Sequence, residues 1–234
     1  MTTSPEEIAP GAYRIDAFGI SHAINVLAIS GEPGWTLVDT GISSSAKRIQ
    51  AALISLGIAP AHLARVYLTH HHPDHIGGLP GMRAWAPEAE IVAPEHEADI
   101  IAGTQPMDPP SSRVVRSLQR WNKLPTVPID RTVVEGELIA GFRVIATPGH
   151  SLGHTSLLSD EHGLLLTADA FGTLGRKVRV GLRKALCADP MMAKRSAEKL
   201  LAEPYETVVF GHGPVLRDNP KHRLREVVAQ CRYA

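Results

Sequence analysis

In the run Thr69-His70-His71-His72-Pro73-Asp74-His75-Ile76-Gly77-Gly78, four side chains able to hold a metal ion, His70, His72, Asp74 and His75, fall within six residues. The apolar stretch Val66–Thr69 reads as a strand entering it. Extended-chain alternation sets His70 and His72 on one side and turns His71 away. Asp74 and His75 follow on a tightly turning stretch where Gly77 and Gly78 let the backbone fold closely around an ion. Imidazole and carboxylate together suit zinc, iron or manganese. Two same-side histidines are too few for one ion, which takes at least three protein ligands. The fold must therefore bring distant sequence back to this turn.

Three places in the sequence are candidates for that return. His150 follows Thr147-Pro148-Gly149, Asp169 follows Thr167-Ala168, and His212 lies in Phe210-Gly211-His212-Gly213. Each stands just beyond an apolar, strand-like run and beside small residues that permit close backbone approach. With 12 histidines in 234 residues the chain carries about twice the average usage.

Strand-like and helix-like runs fill the rest. Ala12–Ile15, Ala23–Ile29 and Trp35–Val38 read as an antiparallel meander broken by Gly31-Glu32-Pro33-Gly34. Ser43–Leu56 has Ala46, Ile49, Leu53 and Leu56 at helical spacing, with Gly57 as the stop. Glu90–Ala93 is the next strand, and two helical patterns between Glu95 and Asn122 flank the Pro-rich Thr104–Ser112, a segment suited to a flap at about 95–125. Thr132–Val134, Phe142–Thr147 and Thr207–Phe210 read as strands, and Thr155–Leu158 pairs with Leu164–Thr167 across Asp160–Gly163. Asp189-Pro190 and Asn219-Pro220 open helices, the latter running to about Arg232. No linker or repeat interrupts the chain, so one domain over 1–234, made of two similar halves, is expected.

The chain resembles the metallo-β-lactamase superfamily. Its signature T-H-x-H-x-D-H is met by Thr69 to His75, and Val38-Asp39-Thr40-Gly41, Thr147-Pro148-Gly149-His150, Thr167-Ala168-Asp169 and Gly211-His212-Gly213 follow the remaining motifs in order. The resemblance implies an α+β fold, a four-layer αββα sandwich of two β-rich halves with the metals at one edge of the sheets. It implies two divalent ions, zinc first, with iron or manganese as alternatives. His70, His72 and His150 would hold the first, Asp74, His75 and His212 the second, and Asp169 would bridge them. Asp39, at a position that is not a ligand, is expected to hydrogen-bond a ligand histidine. A structural hydrogen bond is expected of His154.

Two dications roughly 3.5–4 Å apart lower the pKa of a bridging water toward neutrality and hold hydroxide against a carbonyl or phosphorus, while Asp74 orients it. The implied activity is hydrolysis of an ester, thioester or lactone of a small molecule. Asp169 speaks against an antibiotic-degrading β-lactamase, whose relatives lack that aspartate. With 22 residues after His212 (234 minus 212), there is no room for the long C-terminal helices of a glyoxalase II. A mononuclear iron oxidoreductase of the persulfide dioxygenase type, and a phosphoesterase, are the alternatives.

Lysine and arginine (24) balance aspartate and glutamate (24), so no overall field draws the chain to nucleic acid or membrane. The N-terminus shows no export signal and no apolar run is long enough to span a bilayer, so a cytoplasmic protein is expected, and a homodimer is left open. Arg176, Lys177, Arg179, Arg183 and Lys184 lie together without an acid between them. They read either as a solvated face or, led by Arg176 and Lys177, as cations for an anionic substrate. Cys187 and Cys231 read as ordinary thiols.

Overall fold

Turns rich in glycine break the first forty residues into short strands, and the computed structural model, which describes residues 4–119, 124–175 and 177–233, shows β1 (Glu6–Ala9), β2 (Ala12–Asp16), β3 (Asn25–Ile29) and β4 (Trp35–Val38) joined antiparallel. β1 is an element that the sequence reading missed. Its EEIA carries one apolar pair and no alternation, and pairing with β2 is what makes it a strand.

Chain proximity divides the protein into two compact units. The first comprises residues to Pro106 with Leu124–Val133 and Leu138–Gly141; the second comprises the segment from Met107, Val134–Glu137 and the chain from Phe142 onward.

In the first unit the meander continues into β5 (Leu63–Tyr67), β6 (Glu90–Pro94) and β7 (Arg131–Val133), giving one sheet in the order β1 to β7. Strands β4 to β7 run parallel. Parallel neighbours need long crossovers, and helices α1 (Ala46–Ser55), α2 (Pro73–Ile76), α3 (Leu79–Trp85) and α4 (Glu95–Ile101) provide them. Helix α1 buries Ala46, Ile49 and Leu53, three of the four positions read from its spacing, against a core that includes Val26, Leu37, Val66 and Ile91. Val38 pairs with Tyr67 in the parallel register, so the residues after β4 and β5 leave the sheet side by side. Asp39 and the His70–His75 turn are those residues.

In the second unit β9 (Phe142–Ala146), β10 (Thr155–Ser159) and β11 (Leu164–Ala168) form an antiparallel run, and β14 (Thr207–Phe210) joins β11 in parallel; the two-residue strand β8 (Leu138–Ile139) precedes β9 in the chain. Two successive reversals give β9 and β11 the same direction, and β14 shares it. The C-terminal ends of all three therefore lie on one edge, and His150, Asp169 and His212 come just after those ends. Helix α5 (Arg113–Gln119) belongs to this unit, as do α6 (Pro190–Leu200), whose N-cap Asp189 accepts from the Met192 N–H at 2.9 Å, and α7 (Pro220–Gln230). β12 (Phe171–Leu174) and β13 (Lys177–Val180) form a hairpin that the sequence does not announce, since the basic stretch containing β13 reads as a solvated face or as cations for an anionic substrate rather than as a strand. Lys177 and Arg179 are exposed on alternate positions while Val180 is buried, the alternation of a half-buried strand hidden under the cation count.

No helix among the described residues is long and apolar enough to cross a membrane.

Candidate metal centre

Asp39 sits at φ +62°, the left-handed region that a short polar side chain tolerates better than most. From there its buried carboxylate organises the turn after β5. Oδ1 accepts from the Thr69 backbone N–H at 2.8 Å, Oδ2 accepts from the Thr69 hydroxyl at 2.9 Å, and Oδ2 also lies 2.7 Å from His75 Nδ1. A carboxylate can only accept, so the His75 proton sits on Nδ1 and Nε2 keeps its lone pair. With its hydrogen directed to Asp39, the Thr69 oxygen accepts from His70 Nδ1 at 3.0 Å, and His70 Nε2 is likewise left basic. One carboxylate thus sets the proton positions of two histidines, directly for one and through a hydroxyl for the other. The hydrogen bond expected between Asp39 and a cluster histidine is present.

His70 and His72 meet as alternation requires, with His70 Nε2 at 3.2 Å from His72 Nδ1. Asp74 and His75 lie in α2, which Pro73 opens at its first position. His71 points elsewhere, to Glu97 on α4, and both are fully buried. Nothing in the helical pattern that begins at Glu95 marks Glu97 as a partner of the histidine turn; the packing of α4 brings it there.

In the second unit both oxygens of Asp169 face imidazoles: Oδ2 is 3.2 Å from His150 Nε2, and Oδ1 is 3.5 Å from His212 Nε2. Asp169 and His150 are buried and His212 is partly so. The other His150 nitrogen, Nδ1, donates to the Gly181 carbonyl at 3.3 Å. Asp169 follows Ala168, held at φ +43°, and its own backbone N–H donates to His154 Nε2 at 3.1 Å. His154 Nδ1 in turn donates to the Thr147 hydroxyl at 2.8 Å. His154 is a structural brace for the Asp169 peptide, as expected of it.

The Pro-rich segment is fastened within this unit. The Leu152 N–H donates to Asp108 at 2.6 Å and the Ser111 N–H to the Cys187 carbonyl at 2.8 Å. Burial, with the Asp169 charge adding to it, pushes the Cys187 thiol up to about 12, which leaves it protonated at neutral pH and a poor nucleophile. Of the two cations first read as substrate-binding, Arg176 lies outside the described residues, and Lys177 is exposed on β13.

The model for the metallo-beta-lactamase superfamily matches residues 21–212 of this chain. The chain belongs to that superfamily. This superfamily member is 27% identical over 229 residues to the uncharacterized protein YobT of Bacillus subtilis (strain 168), covering 94% of this chain and 95% of that one. To a hydroxyacylglutathione hydrolase of Chelativorans sp. (strain BNC1) it is 32% identical over 212 residues, covering 88% of this chain and 66% of the relative. A second protein of that name, from Rhodospirillum rubrum, is 33% identical over 174 residues, with 54% of its length covered. The chain thus spans between 39% and 70% of the length of the hydroxyacylglutathione hydrolases compared with it. Among solved structures, a metallo-beta-lactamase family protein from Thermus thermophilus superposes with a TM-score of 0.67 at 24% identity, over 95% of this chain and 80% of that one. A metallo-beta-lactamase from Cronobacter sakazakii gives 0.70 at 24% identity over 91% and 79%. These likenesses show the metallo-β-lactamase fold expected from the motifs.

Proposed function

We propose that the chain is a hydrolase that holds two divalent metal ions and cleaves an ester or thioester of a small molecule. The observation that carries the reading is the setting of Asp169. Each of its oxygens is opposed to an imidazole Nε2, and for His150 the ring proton is already committed to the Gly181 carbonyl. A lone pair then faces a carboxylate oxygen at 3.2 Å, an arrangement that a cation between them relieves. His75 and His70 support the same reading, since Asp39 and Thr69 hold their protons on Nδ1 and leave Nε2 to bind.

Following the superfamily motifs, His70, His72 and His150 would hold one ion and Asp74, His75 and His212 the other, with Asp169 serving both. Such a pair of ions, when bound, supplies Lewis acidity and brings a water's pKa toward neutrality, so no serine or cysteine nucleophile is needed. Asp74 accepts a hydrogen bond from the attacking water and aims it at the acyl carbon. Asp39 keeps His75 in the binding tautomer throughout. His154 accepts from the Asp169 backbone N–H, which would keep the Asp169 carboxylate in place as charge develops.

The thioester preference rests on the relatives named hydroxyacylglutathione hydrolases. Elemental analysis of the purified protein, with turnover of an aryl ester, an acylglutathione thioester and a phosphodiester, tests the reading. Two ions per chain with ester or thioester turnover supports it. One iron per chain with oxygen consumption replaces it by an oxidoreductase, and turnover of the phosphodiester alone replaces it by a phosphoesterase.

A further inference from the structure

The basic stretch after Asp169 is not a uniform solvated face. Lys177, Arg179, Arg183 and Lys184 line one cavity of about 560 Å³ in the second unit, together with Arg232 from the far end of the chain. No aspartate or glutamate among the described residues lines it. Among the described residues Lys177, Arg179, Arg183 and Arg232 take part in no ion pair, while Glu198 pairs with Lys194 and Asp189 accepts from the Met192 N–H at the start of α6. Five of the chain's 24 lysines and arginines thus surround one hollow in a protein of zero formal charge.

The hollow also has apolar walls. Val178, Val180 and Val227 contribute to its lining, and Tyr233 adds a ring. The Tyr233 hydroxyl donates to the Val180 carbonyl at 2.5 Å, which fastens the C-terminal segment against β13 and holds Arg232 near the hairpin cations. Like charges gathered this way repel one another, and an anion among them removes that repulsion. Guanidinium groups offer paired donors that match carboxylate or phosphate oxygens, and the volume falls in the range of small-molecule sites.

We infer that this cavity binds an organic anion carrying two or more negative groups, of the phosphate or carboxylate type, on an apolar body. The inference stands apart from the metal reading, because it uses none of the metal-binding side chains.

Naphthalene-1,5-disulfonate, a dianion that does not chelate metals, is a suitable probe on the full chain, with naphthalene-1,5-diol as the uncharged control. Calorimetric titration at low salt is expected to give one site per chain for the disulfonate and none for the diol. Affinity should fall as sodium chloride is raised, and at least about tenfold in the double variant Arg183→Glu/Arg232→Glu. Both residues are exposed, so circular dichroism should be unchanged; if that variant fails to fold, Arg183→Gln/Arg232→Gln removes the charges with less repulsion. Competition with phenylphosphonate and with phthalate then assigns the headgroup, and displacement of the probe by either supports the site. The inference is overturned if the probe does not bind, if the folded double variant binds as tightly as the parent, or if neither competitor displaces it.

Discussion

One carboxylate oxygen of Glu97, Oε2, accepts twice from His71: from its backbone N–H at 2.8 Å and from its Nδ1 at 2.5 Å, with both residues fully buried. Helix α4 thereby grips the peptide between the two paired histidines His70 and His72. Glu97→Ala would leave two buried donors without an acceptor, at about 1–3 kcal/mol each. We expect urea unfolding to show a loss of about 2–5 kcal/mol, whereas Glu97→Gln, which keeps one acceptor oxygen, should lose less than half of that. Equal stability of Glu97→Ala and the parent would contradict the contact.

Asp39→Asn tests the control of histidine tautomers. Asparagine tolerates φ +62°, so the fold should persist, but an amide no longer demands a donor from both Thr69 and His75. Competition with a chromophoric chelator should show metal affinity reduced about 10–100-fold. An unchanged affinity would remove Asp39 from any role at the site.

Asp74→Ala is expected to lower hydrolysis by at least about 100-fold while leaving the circular dichroism spectrum as in the parent, because Asp74 is only partly buried and lies outside both hydrophobic cores. Retained turnover would show that another group aligns the attacking water.

Gly149 precedes His150 at φ +130°, and a Cβ there would come within 2.0 Å of the Ala193 nitrogen and 2.4 Å of its Cα. Backbone cannot give way as a side-chain tip does. Gly149→Ala should therefore cost at least about 3 kcal/mol in urea unfolding. Gly136→Ala is the control: its φ is +90°, but no atom lies within 4 Å of the added carbon, so only the backbone term of about 1–2 kcal/mol should appear. Similar losses for the two would mean that the Gly149–Ala193 approach is not tight.

Much of this molecule is legible in one dimension. The boundaries of β4 and β14 follow the apolar runs of the sequence residue for residue, and α1 follows its apolar spacing, because short-range burial patterns govern them. The strand entering the histidine turn is different: expected at Val66–Thr69, it spans Leu63–Tyr67, since its parallel neighbours β4 and β6 decide where pairing ends. The β12–β13 hairpin was hidden because its exposed positions are cations and its apolar ones valines too few to stand out.

The candidate site divides along the same line. Residue types and small-residue neighbours marked His70, His72, Asp74, His75, His150, Asp169 and His212 as candidates, and the resemblance to the superfamily's motifs gave each its expected place in a ligand set. Which nitrogen of His70 and His75 keeps its proton, how Glu97 holds the histidine turn, and how Arg232 comes to line the same cavity as Arg183 were decided by tertiary structure. The physical reason is that a hydrogen bond between residues 36 apart, such as Asp39 and His75, or a cavity lined both from β13 and from the segment after α7, depends on packing that local sequence periodicity does not encode.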